Sequence, residues 1–158
     1  MSDFISLLIT GGLIYYIGKF LIKFLIEKVS WVLLDKEAVA ERERMRYENT
    51  IHAKEFFLME NELKMRGFNS KGIYIFTNLK NKRTYVGQSV NVLRRVQQHL
   101  NGRGNKDLHN DFIRGDKFTI RFIKLTDTPF KTLNALERHY ISKKNSYYAG
   151  YNKTQGNS

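Results

Sequence analysis

The chain opens on a run of fifteen residues without formal charge, Phe4 to Gly18. Phe20-Leu21-Ile22 carries the run past Lys19 to about nineteen positions, near the lower limit of the ~17–25 residues needed to span a membrane. Lys19, Lys23 and Glu27 then recur at every fourth position beside Phe20, Phe24 and Leu25, which suits a helix lying at a membrane interface. Residues 1–34 are therefore predicted to be a transmembrane or interfacial helix that anchors the chain through residues 4–34. Its lysines follow the apolar run, so the positive-inside rule assigns the remainder to the cytoplasmic side. Asp35 to Arg66 has no Gly or Pro and is rich in Glu, Arg, Lys, Ala, Met and Leu, the composition of a charged helix. Residues 35–70 read as a helical spacer. Ile51, Leu58 and Met65 fall seven apart and leave room for a homodimer through this helix, although Glu55 and Glu62 occupy places where a seam wants apolar side chains.

At Gly72 the period changes from that of a helix to that of a strand. Ile73-Tyr74-Ile75-Phe76-Thr77 is β-branched and aromatic, Asn78 to Arg83 supplies a polar turn, and Thr84-Tyr85-Val86 returns. Gly87 breaks the strand, and Ser89 is placed to cap a helix carrying Val90, Leu93, Val96, Gln97 and Leu100. Arg95 and His99 are four apart and leave the same helix face. Lys106 to Arg114 reads as a short helix with Leu108, Phe112 and Ile113 inward. Lys117 to Lys124 alternates, with Phe118, Ile120 and Phe122 on one face, as a third strand. Thr128 and Pro129 suit the cap and first position of a last helix, whose stripe is Leu133, Leu136 and Tyr140. Glu137 borders that stripe. The class predicted is α+β: a small three-stranded antiparallel sheet flanked by helices over residues 71–154, preceded by a long helix and the N-terminal segment, with 155–158 a polar tail.

Charge then narrows the partner. Residues 1–34 carry a net +1, residues 35–70 a net −1, and residues 71–158 seventeen basic against five acidic side chains, so the whole +12 excess lies on the β-containing segment. A polyanion is the natural partner, and nucleic acid the commonest. Lys80, Lys82, Arg83, Arg94, Arg103 and Lys106 are the candidate nucleic-acid contacts. With no cysteine, disulfides and thiolate metal sites are excluded. Two phenols on one side of a small sheet, with a guanidinium and an imidazole delivered to the same end, suit a phosphate.

Gly72-Ile73-Tyr74, then Tyr85-Val86-Gly87 with its second tyrosine eleven residues after the first, then Arg95 and His99, together resemble the GIY-YIG nuclease family, including the catalytic modules of phage homing endonucleases. Tyr16-Ile17-Gly18 spells the second triplet too, but it lies in the apolar run with no hairpin before it and reads as membrane or core sequence. The resemblance covers residues 71–154 and implies a metal-dependent endonuclease acting on DNA. It implies a catalytic set of Tyr74, Tyr85, Arg95, His99, Glu137 and Asn152. Within that set Glu137 would hold one Mg²⁺ or Mn²⁺, and Asn152 belongs to a closing Gly150-Tyr151-Asn152. Phage members carry a further histidine in a region where this chain has Asn105, and His109 reads as a surface residue. A catalytically silent, membrane-tethered DNA-binding protein of the same fold is the alternative.

Overall fold

A computed structural model describes residues 19–30, 35–41, 44 and 48–156. The chain divides into two compact units, residues 1–44 and 45–158. In the first unit, residues 19–30 and 35–41 are helical and exposed. Among the described residues no helix is long and apolar enough to cross a membrane. The uncharged run from Phe4 to Gly18, with its Tyr16-Ile17-Gly18, lies outside the described residues, as do Asn157 and Ser158 of the polar tail.

The second unit is built on four antiparallel strands in the order β1-β4-β2-β3. These are β1 (Thr50–His52), β2 (Gly72–Asn78), β3 (Thr84–Ser89) and β4 (Phe118–Lys124). The sequence reading expects three strands, and β1 is the fourth. It comes from the stretch read as spacer, where a three-residue strand leaves too little alternation to notice. Ile51 pairs with Ile120 on β4. Ile51 therefore lies in the sheet, and the spacing Ile51, Leu58, Met65 makes no continuous helical seam.

Behind β1 come one 3₁₀ turn and helix α1 (Phe56–Met65). Phe56 and Leu63 of α1 are fully buried, and Phe68 packs on Phe122 with ring centroids 5.4 Å apart. Residues 50–68 thus belong to the core of the second unit, which corrects a spacer drawn over 35–70. Composition pointed to a charged helix because Leu58 and Met65 are exposed and only one narrow stripe faces inward.

Alternation sorts the rest of the sheet into two faces. Tyr74 and Phe76 of β2 with Phe118, Ile120 and Phe122 of β4 meet α1, α2 (Val92–Leu100) and α3 (Lys106–Ile113) in the larger core. Ile73, Ile75 and Val86 face the other way, onto Leu136 and Ile141 of α4 (Leu133–Lys143). Three local expectations are revised. The cap of α2 is Asn91, whose side chain accepts from the Arg94 N–H at 3.1 Å, and Val90 stays outside the helix and exposed. The cap of α4 is Thr132, accepting from Ala135 N–H, because the Thr128 hydroxyl is already bonded to the Leu125 carbonyl at 2.8 Å. Ile113 ends α3 pointing outward.

The C-terminal strap closes the open edge of β3. Tyr151 N–H donates to the Thr84 carbonyl at 2.8 Å. Asn152 accepts from the Val86 N–H and donates to the Val86 carbonyl, both at 2.8 Å, so its amide pairs with that peptide as a further strand would. An edge that would otherwise template other chains is covered.

Candidate active site

The hairpin sets the first two groups. In the β2–β3 register Tyr74 lies opposite Gly87 and Phe76 opposite Tyr85, so the two phenols are diagonal neighbours on one face, with ring centroids 6.2 Å apart. Tyr74 lies across its partner in the pair: a Cβ at position 87 would run into its hydroxyl and Cζ, which is the physical reason for glycine in the second triplet. Helix α2 brings Arg95 and His99 over the same face, and His99 is fully buried against both tyrosine rings.

The tautomer of His99 follows from its two partners. A backbone N–H can only donate, and that of Asn105 lies 3.1 Å from Nδ1, so Nδ1 is the acceptor. The proton therefore sits on Nε2, which donates to the Tyr74 hydroxyl at 3.0 Å. Burial first, and the Arg95 charge second, lower the His99 pKa to about 4, so the ring is neutral at physiological pH. Gly104 makes room for this arrangement, since a Cβ there would collide with the imidazole. Burial, reinforced by the neighbouring Tyr85, raises the Tyr74 phenol, and Arg95 acts the other way. Burial likewise raises Tyr85, again opposed first by Arg95. Arg95 is half-buried and donates to Gln98 at 2.8 Å.

The buried histidine has a stability consequence. Its folded pKa lies below the unfolded value of 6.5, so the unfolded chain binds the extra proton first. The stabilisation is fully present above pH 6.5 and is lost as pH falls towards 4, on the order of 3 kcal/mol across that window. His99→Gln should remove this dependence. Urea midpoints of both chains at pH 7 and pH 4.5 check it: the gap between them narrows at the lower pH, and a constant gap would contradict the neutral buried ring.

Glu137 arrives from the opposite face of the sheet. It projects from α4, is 8 % exposed, and accepts from Gln88 Nε2 at 2.9 Å. The same Gln88 amide donates to Asn134 at 2.8 Å. One cleft of about 370 Å³ wraps round the edge of β3 and is lined by Tyr74, Tyr85, Arg95, Gln88, Glu137 and Asn152, among others. Gly87, without a side chain, lets the two faces communicate there. Five of the six catalytic candidates read from the sequence line this cleft, and the sixth, His99, stands behind Tyr74. Asn152 acts through the strand, since its amide is occupied by Val86.

The basic candidates divide. Lys82, Arg94, Arg103 and Lys106 are exposed. Lys80 is exposed too but pairs with Asp116 at 3.1 Å. Arg83 is turned inward, its guanidinium 4.1 Å from the centre of the Tyr151 ring and its Nη2 donating to the Gly150 carbonyl. Sequence reasoning missed Gln88, although strict alternation from Val86 places it on the α4 face. It named Asn105 only as a position, whereas Asn105 caps α3, fixes His99 and donates to the Tyr151 carbonyl at 2.8 Å.

Among the described residues no group of three or more His, Cys, Asp or Glu side chains could hold a metal. The donor set around Glu137 is one carboxylate with amide and phenol oxygens. That set fits Mg²⁺ or Mn²⁺, which takes one or two carboxylates and completes its shell with water and phosphate oxygens, and it does not fit zinc.

Comparison with known proteins agrees with this geometry. A family model described as the GIY-YIG catalytic domain matches residues 70–152, just over half the chain. No curated protein and no solved structure matches. The matched segment contains both triplets, Arg95, His99, Glu137 and Asn152, and the chain belongs to the GIY-YIG nuclease family.

Proposed function

We propose that this chain is a divalent-metal-dependent endonuclease that hydrolyses DNA phosphodiester bonds, held at a membrane by its N-terminal segment. The observation that carries the reading is the convergence of two phenols, a guanidinium and one carboxylate from opposite faces of the sheet on a single open cleft. The +12 excess on residues 71–158 supports a polyanionic substrate.

Each residue has a role that its surroundings allow. Glu137 would hold a bound Mg²⁺ or Mn²⁺, which polarises the scissile phosphate and stabilises the leaving oxygen. Arg95 neutralises charge that builds on the phosphoryl oxygens. Tyr74 serves as the base. Burial holds its phenol protonated, Arg95 opposes that rise, and a metal ion held at Glu137 would oppose it further. The phenolate so formed takes a proton from the attacking water as the new P–O bond forms and the old one breaks. His99 Nε2–H donates to that phenolate and holds it in place. It cannot take the phenolic proton itself, because Nδ1 is occupied by the Asn105 N–H, so that proton leaves through the open cleft. Tyr85 orients the water. Gln88 fixes the Glu137 carboxylate.

Tyr74→Phe and Tyr85→Phe, made separately in the full chain, test the assignment on supercoiled plasmid. Tyr74→Phe is expected to lose about 10²–10⁴ in single-turnover rate, the range of a general base, and Tyr85→Phe clearly less. Equal residual rates would overturn it.

Membrane attachment rests on the uncharged run before Lys19 and on the helix over residues 19–30. That helix exposes Phe20, Ile22 and Ile26 at 60–70 % beside Lys19, Lys23 and Lys28. In a density gradient the full chain should float with zwitterionic phosphatidylcholine vesicles, which do not attract the basic segment by charge, and a chain lacking residues 1–34 should stay at the bottom. Flotation of both chains would refute the anchor.

A further inference from the structure

A second cleft of about 520 Å³ opens on the other flank of α4, lined by Arg138, Ile141, Ser142, Tyr147, Tyr148 and Gln155, among others. Ile141 belongs to the lining of both clefts. Arg138 follows Glu137 directly on the helix and turns to a different side of it, so the two clefts flank the same turn of α4.

Its chemistry differs from that of the first. Tyr147 and Tyr148 meet edge to face with ring centroids 4.8 Å apart. Tyr148 keeps 78 % of its surface exposed, yet Gln155 Nε2 donates to its hydroxyl at 3.1 Å and restrains the ring. An exposed aromatic held in place beside an apolar floor and an arginine serves no packing need. The volume falls in the ~300–1,000 Å³ range of small-molecule sites.

We infer that this cleft is a subsite for one unpaired base of the DNA substrate, stacked on Tyr148 with Arg138 against the adjoining phosphate. The inference rests on the nuclease reading of the neighbouring cleft. A base within a duplex presents only its edges, whereas a base out of the stack offers a face to an aromatic ring, and such stacking is worth enough to be read in binding. The positive excess of the same segment suits the backbone on either side. The enzyme then favours DNA with a single-stranded branch or tail next to the cut.

Binding of the full chain to two labelled DNAs tests this in a chelator, where no cleavage is needed. One is a blunt duplex and the other the same duplex with a single-stranded flap. The full chain should bind the flapped DNA about five- to tenfold more tightly. Tyr148→Ala should abolish that preference, Tyr148→Phe should keep it, and Tyr148→Ala should leave blunt-duplex binding unchanged. No preference in the parent, or equal weakening on both DNAs by Tyr148→Ala, would overturn the subsite. Metal-dependent plasmid cleavage is scored separately. Lost cleavage with a Tyr148-dependent preference intact removes the nuclease reading alone, and cleavage without the preference removes the subsite alone.

Discussion

A chain that begins at Lys71 is expected not to unfold cooperatively, whereas one that begins at Met45 should. The family match starts at residue 70, yet the core it relies on starts earlier. Ile51, Phe56, Leu63 and Phe68 are each 3 % exposed or less and pack in the same core as Tyr74 and Phe76. Burying a large apolar side chain contributes ~1.5–3 kcal/mol, so four of them amount to roughly 6–12 kcal/mol, comparable with the ~5–15 kcal/mol that holds a whole domain together. Loss of β1 also exposes the edge of β4. Urea titration followed by circular dichroism decides the matter. Closely similar midpoints for the two chains would mean that residues 45–70 are dispensable after all.

Glu137→Gln should lower the cleavage rate about a thousandfold without unfolding the protein. The amide has nearly the shape of the carboxylate, so the buried contacts of α4 with Ile73, Ile75 and Val86 remain. What goes is the charge. Metal assistance in phosphoryl transfer is worth several kcal/mol, and about 4 kcal/mol corresponds to three powers of ten. DNA binding in a chelator should be unchanged or stronger, since a negative group has left a phosphate site. An unchanged far-ultraviolet spectrum with lost cleavage separates this from misfolding. A rate within tenfold of the parent would remove Glu137 from the metal-holding role.

Much of this was legible because the family signature is local. Tyr74, Tyr85, Arg95 and His99 lie on three consecutive elements, and alternation and helical spacing place them together without knowledge of the whole fold. Glu137 was legible only through resemblance, because a helical acid beside an apolar stripe is ordinary and nothing local says that it reaches round a strand edge. β1 and α1 were missed for a related reason. Their apolar residues are spaced too sparsely to signal burial, and they are buried by partners distant in the chain: β1 by β4, some seventy positions later, and α1 in the core it shares with α2. The tautomer of His99 could not be read at all, since it depends on a backbone N–H six residues away in a glycine-containing loop. Arg83 shows the converse: it reads as a surface cation, and the ring of Tyr151 draws it inward.

Metal-dependent hydrolysis of DNA at the cleft around β3 is open to a plasmid cleavage assay. Supercoiled plasmid is incubated with the full chain in Mg²⁺, in excess chelator, and in Mg²⁺ with Glu137→Gln. Nicked or linear plasmid is expected in the first reaction alone, with activity restored when Mg²⁺ is added back to the second. Cleavage that survives both the chelator and the substitution would contradict it, as would salt-sensitive plasmid binding with no cleavage under any of the three conditions.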